Sequence, residues 1–482
     1  MRKVKNRTLL AALSLALLLP AVAAAQADTG SADFSRFVAM GDSLGAGFMS
    51  GSLHEGGQRN SWPSLIYQQV NGSAAGFEQP LVSSPGIPGI LELRSLVPLV
   101  IAPAAGFGNP NNLTLPRPYD NLSVPGFTMG DASQTVTGNP VIDVVLRGLG
   151  TQLQQTAFLQ PSFVALWLGS NDVLGAALSG VAIEGVTLTP VNDFAVALAT
   201  VGQTLEAVGV QQGAIATIPN VTSVPFVTTL PPVVVDPAGN PVVIDGQFIP
   251  LIAETSTGVR PLGPGDFVLL TATAELAQGR GVPPPLGNAG PLSTFVVLDR
   301  DEVAAIQARV DELNALIRQA AQDSGAALVD VNAIFDEVVA EGLNIGGIEY
   351  SADFLTGGLF SLDGFHASPM GYAIIANAFI DAINATYGGS IPPVNLSRFV
   401  FGVEGQLPIG GGTLEFGELR FSRQAWRSLR KSLRLPTRKE LKRALRASQR
   451  SETRRLRLSE RPADRQARLE AARSGGGKLR RR

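Results

Sequence analysis

The apolar positions of the chain form short unbroken runs that stop at glycine and polar residues. The first run stops at Gly41-Asp42-Ser43, and the second stops at Gly169-Ser170-Asn171-Asp172. Apolar runs of this length without alternation are typical of strands that are buried on both faces. We therefore predict buried strands over 37–40, 163–168, 214–219 and 326–331.

Helical spacing of apolar residues separates these runs. It is clearest over 299–325, where Val303, Ile306, Val310, Leu313 and Ile317 recur at intervals of three and four. Further helices are predicted from Ser61 onward and over 194–209 and 370–383. Strands that alternate with helices indicate an α/β fold, with a central and mostly parallel sheet covered on both faces. Two Gly- and Pro-rich stretches, about 72–120 and 220–298, are predicted to be large loop insertions.

The first 27 residues have the organisation of a secretory signal. A basic start is followed by an apolar run over 9–19 and by Ala25-Gln26-Ala27, which fits a cleavage site. The apolar run is shorter than the roughly 20 residues that span a bilayer. We expect a secreted or periplasmic protein. The chain has no cysteine, so its stability cannot depend on disulfides, and neither thiolate catalysis nor lipid attachment to a cysteine is available.

Charge divides the chain into two parts. Residues 8–419 contain 11 arginines and no lysine against 35 acids, a net charge of −24, whereas 420–482 contain 23 basic residues against five acids, a net charge of +18. We predict a globular domain over 28–390 and a linker with an Arg-rich tail over 391–482. The tail could be disordered or an out-of-frame extension, or partly helical and in contact with an anionic surface or the acidic core. We do not expect nucleic-acid binding.

Ser43 is the candidate nucleophile, because a serine on a tight turn after a strand presents its hydroxyl at the carboxyl edge of the sheet. It needs a base, and the chain has two histidines. His366 has a carboxylate three residues earlier, Asp363, that can orient its ring. His54 lies in a glycine-containing loop and is the weaker alternative. Two histidines without cysteine also make a metal site improbable, and we expect no cofactor.

Two further residues are candidates for holding a developing oxyanion. Asn171 follows the second predicted strand and offers a side-chain amide, although it could simply be a helix cap. Gly126, in Asn121-Leu122-Ser123-Val124-Pro125-Gly126, offers a backbone N–H, and Gly130 is its alternative. The N–H of Ser43 would be the third donor.

Together, the segments 37–44, 121–126, 169–172 and 363–366 resemble the four motif blocks of the GDSL/SGNH hydrolase family, in the family's order. The resemblance implies a flavodoxin-like three-layer α/β/α fold. It also implies a serine esterase or lipase with Ser43, Asp363 and His366 as catalytic residues and with Ser43, Gly126 and Asn171 as the oxyanion hole. Gly41–Gly45 fits the G-x-S-x-G elbow of α/β-hydrolases as well, but that elbow normally follows several strands.

The expected substrate is a small-molecule or lipid carboxyl ester. Carbohydrate O-deacetylation and acyl transfer would use the same residues. A surface or periplasmic binding protein without turnover is the alternative from another class.

Overall fold

The computed structural model describes residues 27–96, 98–237, 239–400 and 419–459. The signal-peptide prediction lies outside these residues, except for its last position. Among the described residues, no helix combines the length and the apolar character that crossing a membrane would require.

A four-stranded parallel sheet lies at the centre of the fold. Its strands are β1 (Phe37–Gly41), β2 (Phe163–Trp167), β3 (Gln212–Ala216) and β4 (Ala327–Val329), and they are adjacent in this order. All three pairings are parallel. The four predicted strands are therefore confirmed, and only their ends differ by one to three residues.

The segment 120–124 extends the sheet along the free edge of β1. The amide of Ala39 donates to the Asp120 carbonyl, and the amides of Leu122 and Val124 donate to the carbonyls of Ala39 and Gly41. Counted in chain order with this segment, the strands have the order 2-1-3-4-5 of flavodoxin-like folds. The connection changes direction between β1 and β2, and ligands bind at such a switch point beyond the carboxyl ends of the strands.

Alternation along the strands separates two apolar clusters, one on each face of the sheet. Val164 and Leu166 of β2 contribute to one cluster, whereas Phe163, Ala165 and Trp167 contribute to the other. The helices that cover the two faces complete three layers. The main ones are α1 (Trp62–Asn71), α2 (Asn171–Ser179), α3 (Val191–Ala207), α4 (Arg300–Ser324) and α5 (Pro369–Tyr387). Shorter helices are Glu55–Arg59, Pro140–Leu146, Gln152–Leu159, Pro225–Thr228, Thr273–Leu276 and Val331–Glu341.

The two predicted insertions contain short strands of their own. Leu91–Leu96 and Leu99–Pro103 form an antiparallel pair in the first insertion. The second insertion has its own small apolar cluster, which includes Leu251, Val268 and Leu292. Its short strands are Val243–Ile244, Gln247–Phe248, Ile252–Thr255, Gly258–Pro261, Phe267–Val268 and Val297–Leu298. A hairpin of Leu343–Ile345 and Ile348–Tyr350 precedes α5.

The C-terminal part of the chain folds back on the domain. Its strand Leu419–Phe421 pairs in parallel with Leu99–Pro103. Two helices follow, α6 (Arg423–Ser432) and α7 (Arg438–Ser459). A capping box begins α7: the Glu440 carboxylate accepts from the Thr437 amide at 2.6 Å, and the Glu440 amide donates to the Thr437 hydroxyl at 3.2 Å.

Trp62 joins two helices to the sheet, and its removal should destabilise the fold. Its ring is fully buried, is stacked on Phe379 of α5 at 4.2 Å between centroids, and lies 6.2 Å from Trp167 of β2. We expect Trp62→Ala to lower the free energy of unfolding by about 3–5 kcal/mol, measured by urea denaturation. Phe158→Ala is the matched control, because Phe158 is 72% exposed and its loss should change stability by less than about 0.5 kcal/mol. Equal effects in both variants would contradict this packing.

Candidate active site

Ser43 and Asn171 lie at the carboxyl ends of the two strands that flank the switch point. Gly41, the last residue of β1, is in register with Trp167 at the end of β2. A turn follows β1, in which the Ala46 amide donates to the Asp42 carbonyl and the Phe48 amide donates to the Ser43 carbonyl, each at 3.0 Å. The predicted tight turn after the strand is present, and the next helix begins only at Glu55. Ser43 is 3% exposed.

Asp363 and His366 form a buried hydrogen-bonded pair. The distance between His366 Nδ1 and Asp363 Oδ2 is 2.9 Å, and the two side chains are 1% and 0% exposed. Burial alone would raise the pKa of Asp363, but the charge of His366 and the hydrogen bonds from His366 and Gly51 hold this pKa below its ordinary value. An ionised Asp363 accepts the proton of Nδ1, so the neutral imidazole has its lone pair on Nε2.

The same carboxylate connects the His366 loop to the loop that follows Ser43. Asp363 Oδ2 also accepts from the Gly51 amide at 2.8 Å, and Oδ1 accepts from the His366 amide at 2.9 Å. The Ser361 hydroxyl accepts from the Ser50 amide at 2.8 Å and donates to Asp363 at 3.3 Å. The two loops are therefore fixed to each other through polar groups that are almost completely buried.

This arrangement places the imidazole beside the turn of Ser43. The ring of Phe48, whose amide donates to the Ser43 carbonyl, lies 5.0 Å from the His366 ring. Nε2 of His366 is buried and has no hydrogen-bond partner among the described residues. An unpartnered, correctly tautomerised ring nitrogen is what a general base needs, and such bonds often tighten only when substrate is bound.

Asn171 and Gly126 are brought together through Phe127. The Asn171 amide nitrogen donates to the Phe127 carbonyl at 2.9 Å, which leaves its second hydrogen available. Asn171 is not the cap of α2, because Ser170 occupies that position. Gly126 has a φ of +81°, a left-handed conformation that favours glycine. Gly130, the alternative donor, begins a short 3-10 helix instead.

Close packing joins the Gly126 segment to the turn of Ser43. A Cβ on Gly45 would lie 2.2 Å from the Ser123 hydroxyl, so only glycine fits there. The Asn121 side chain donates to the Gly45 carbonyl at 3.0 Å. Gln152 donates to the carbonyls of Gly41 and Leu122, both at 2.8 Å. Gln152 and Ser361 could not be predicted as site residues from the sequence, because nothing in their neighbourhood along the chain distinguishes them from other polar residues.

His54 is separate from this arrangement. It precedes the short helix Glu55–Arg59, and no ion pair with a carboxylate is described for it. Burial lowers the pKa of His54 to about 4, so its ring is neutral at pH 7. The structure therefore offers no orienting group for His54 as the base. Among the described residues, no group of three or more His, Asp and Glu side chains is arranged to hold a metal ion.

Comparison with known proteins identifies the family of the chain. The profile of the GDSL-like lipase/acylhydrolase family matches residues 37–379, most of the chain. The chain belongs to this family. GDSL-like acylhydrolases are serine ester hydrolases, and the α/β fold with a central parallel sheet is theirs.

Solved structures of low sequence identity are also similar to this GDSL-family chain. One is described as a GDSL-like lipase from Parabacteroides merdae, with 12% identity and a TM-score of 0.31 over 72% of this chain and 94% of the other. Another is LAE5, described as an alpha/beta hydrolase enzyme from the metagenome of Lake Arreo, Spain, with 14% identity and a TM-score of 0.31 over 73% and 95%. No curated protein matches the chain.

Two buried carboxyl groups belong to the segments of the candidate site in this GDSL-family chain: Asp42, in the turn of Ser43, and Asp172, which follows Asn171. Burial raises the pKa of Asp42 to about 7, and the charge of nearby Asp172 contributes in the same direction. Burial likewise raises the pKa of Asp172 to about 7. One oxygen of each carboxyl, Oδ2 of Asp42 and Oδ1 of Asp172, has no hydrogen-bond partner among the described residues. Ionising either group in the folded protein is therefore costly.

Stability should fall as these carboxyls ionise. Because their folded pKa values are raised, their stabilising contribution is complete below the unfolded pKa of about 4 and is lost as pH rises through about 7. Asp42→Asn removes one of these groups. Between about pH 5 and pH 7, the free energy of unfolding of Asp42→Asn should fall less steeply with pH than that of wild type. The two slopes should differ by up to about 1.4 kcal/mol per pH unit.

Urea denaturation at a series of pH values measures this slope. Asp311→Asn is the matched control, because Asp311 is exposed on α4 and should leave the wild-type slope unchanged. Parallel pH profiles for wild type and Asp42→Asn would contradict the assignment of this titration to Asp42.

Proposed function

We propose that this chain is a secreted serine hydrolase that cleaves carboxyl esters through an acyl-enzyme, with Ser43 as nucleophile. The observation that carries the proposal is the buried pair of Asp363 and His366, whose free Nε2 lies in a loop fixed to the turn of Ser43. Membership of the GDSL family supports ester chemistry. The roles of the individual residues are our assignment.

Acylation begins when His366 Nε2 accepts the proton of the Ser43 hydroxyl. The Ser43 oxygen attacks the carbonyl carbon of the ester and forms a tetrahedral intermediate. Asp363 stabilises the imidazolium and keeps its Nδ1 proton in place. When the carbon–oxygen bond to the alcohol breaks, the imidazolium returns its proton to the leaving alkoxide. The alcohol departs, and the acyl group remains on Ser43.

Three donors are available for the oxyanion of the intermediate. They are the amides of Ser43 and Gly126 and the second hydrogen of the Asn171 side chain. Asn171 is held by its bond to the Phe127 carbonyl, so it needs little reorganisation. In deacylation, His366 takes a proton from water, the resulting hydroxide equivalent attacks the acyl carbon, and the acid leaves as Ser43 recovers its proton.

An apolar cleft lined by chain neighbours of Ser43 and His366 favours an acyl group as the recognised part of the substrate. Its volume is about 110 Å³. Leu44, the neighbour of Ser43, and Phe365 and Ala367, the neighbours of His366, all line it. Phe335, Phe360 and Ile374 are among the remaining lining residues. Apolar walls of this kind favour hydrocarbon over a sugar, which would need polar partners.

The proposal places the enzyme outside the cytoplasm. The basic start, the apolar run over 9–19 and Ala25-Gln26-Ala27 support export by a cleaved signal. The absence of cysteine from the whole sequence is compatible with an oxidising compartment.

Replacing the nucleophile or the base should abolish turnover without unfolding the protein. We expect Ser43→Ala and His366→Ala each to lower kcat by roughly 10⁴–10⁶-fold, because the two residues act as a unit. Asn171→Ala should lower kcat by roughly 10²–10³-fold, because it removes one oxyanion donor. Hydrolysis of p-nitrophenyl esters from acetyl to palmitoyl measures these effects and the preferred chain length.

His54→Ala is the matched control, because His54 is the second of the two histidines in the chain and has no orienting carboxylate. It should keep kcat within about tenfold of wild type. If His54→Ala were inactive while His366→Ala retained near-normal turnover, the base would be misassigned. Activity that survives Ser43→Ala would exclude the acyl-enzyme on this serine.

A further inference from the structure

The proposed ester site is closed to solvent. Ser43 is 3% exposed and His366 is 1% exposed. An ester must reach Ser43 from outside the molecule, so the residues above this serine control access to it. Those residues include a segment far along the chain, 419–436, which is named here the cover.

On the oxyanion side, the cover lies directly against Gly126. A Cβ on Gly126 would be within 3.0 Å of three backbone atoms of Leu433. The Asn139 side chain donates to the carbonyls of Lys431 and Ser432 at 3.1 and 3.2 Å. Arg434 forms an ion pair with Asp131 at 2.8 Å. An ester whose carbonyl oxygen accepts from the Gly126 amide therefore has to approach beside Leu433.

On the side of the base, the cover continues an aromatic row that ends at His366. The Trp426 ring lies 5.7 Å from Phe226, Phe226 lies 5.7 Å from Phe365, and Phe365 lies 4.5 Å from the His366 ring. Leu429 of the cover is fully buried, and a Cβ on Gly51 would meet its side chain at 3.3 Å. The cover thus spans the site from the oxyanion donors to the base.

A larger cavity of about 600 Å³ lies under the edge of the cover. Its walls include Gly126 and Asn171 on the domain side and residues 433–436 on the cover side. Neither Ser43 nor His366 lines it. The cavity therefore reaches the oxyanion donors but stops short of the nucleophile, which is what an incompletely opened access path would look like.

The outer surface of this C-terminal part is strongly basic. Residues 419–459 contain 15 Lys and Arg against two acids. In α7, Leu441 is buried in a small cluster with Val181, Ile183 and Phe295, so this face of the helix is turned to the domain. The opposite face is exposed and carries basic residues at helical spacing, namely Lys439, Arg443, Arg446 and Arg450.

The chemistry of this basic face favours an anionic lipid surface. A row of lysine and arginine on one face of a helix is attracted to anionic headgroups, and each basic residue adds to the attraction. From Arg427 to Ser459 the sequence has no aromatic residue on which a nucleic-acid base could stack. The ion pairs that hold this part, Arg434 with Asp131 and Arg438 with Glu275, have partly exposed arginines. Such pairs are weak and open to competition by other anions.

We propose that the cover closes the ester site and that docking of the basic face of α7 on an anionic lipid surface opens it. The inference rests on the proposed function of Ser43. Docking draws Arg434 of the cover and Arg438 of α7 toward the lipid headgroups and away from Asp131 and Glu275. Leu433 then leaves Gly126, and the ester enters from the membrane side.

The cover is tested first with a soluble ester, p-nitrophenyl butyrate, and the full-length protein. Leu433→Asp should raise kcat/KM at least tenfold, because the Leu433 side chain is buried in the main apolar cluster and a charge is not stable there. Arg434→Glu changes only a surface ion pair and should raise kcat/KM about threefold. It tests the cover even if Leu433→Asp does not fold. Leu251→Asp is the matched control, because Leu251 is equally buried but belongs to the apolar cluster of the second insertion, which contains no residue of the cover or of α7, and it should stay within twofold of wild type.

The lipid surface is tested with vesicles of phosphatidylcholine alone or mixed equally with phosphatidylglycerol. Mixed vesicles should sediment with the wild-type protein and raise its kcat/KM at least tenfold, whereas neutral vesicles should do neither. Changing Lys439, Arg443, Arg446 and Arg450 to Gln should abolish both effects and leave the basal rate unchanged. Changing Arg36, Arg59, Arg94 and Arg398 to Gln removes the same charge from exposed domain positions and should preserve both effects.

Distinct results would overturn distinct parts of the account. If wild type, Leu433→Asp and Arg434→Glu hydrolyse the ester equally by a Ser43-dependent route, the cover is wrong and the proposed function stands. If opening the cover lowers kcat/KM, the cover builds the substrate pocket instead of closing it. Equal effects of neutral and anionic vesicles, or activation by duplex DNA in place of vesicles, would exclude the lipid surface. If none of the proteins cleaves any ester, the proposed function itself fails.

Discussion

A single buried carboxylate, that of Asp363, determines the geometry of the candidate site. It receives hydrogen bonds from the His366 ring, from the His366 backbone and from Gly51. A fully buried carboxylate without partners would be very unfavourable, so its donors must stay in place for the fold to be stable. One donor comes from the loop after Ser43 and another is the ring of His366. The requirement that stabilises the carboxylate therefore also fixes the proposed base relative to the loop of the proposed nucleophile.

The parallel sheet supplies the frame for this network. Its strands β1 and β2 are adjacent, and the direction of the connections changes between them, so the residues after both strands meet at one edge. Ser43 and Asn171 are these residues. The Gly126 segment reaches the same edge because 120–124 pairs with β1, and Gln152 ties the two together through the carbonyls of Gly41 and Leu122.

Much of this could be predicted from the sequence, because it depends on short-range patterns. Strands buried on both faces produce continuous apolar runs, and the residues that follow each run can be identified from the sequence as turn residues. Asp363 and His366 are three residues apart, so a single turn decides their contact. The helices over 299–325 and 370–383 were predicted within a few residues of Arg300–Ser324 and Pro369–Tyr387 for the same reason.

What the sequence could not reveal depends on contacts between distant residues. Ser50 and Ser361 are ordinary polar residues until the fold brings them together, and the pairing of 120–124 with β1 leaves no apolar run of strand character. The place of the C-terminal helices was left open, because a basic composition is compatible with solvent, a surface or the acidic domain. The position of the cover over Gly126 follows from the pairing of Leu419–Phe421 with Leu99–Pro103, and no local sequence pattern encodes this pairing.

The most direct test of the account is covalent labelling with a fluorophosphonate, followed by mass spectrometry of the digested protein. An activated serine reacts with this probe, whereas ordinary serines do not. The account predicts one phosphonyl group per chain, located on the peptide that contains Ser43, and labelling that slows strongly in Asp363→Asn because the imidazole loses its orienting charge. Labelling on another residue, or equal labelling rates in wild type and Asp363→Asn, would contradict the central role of the network around Asp363.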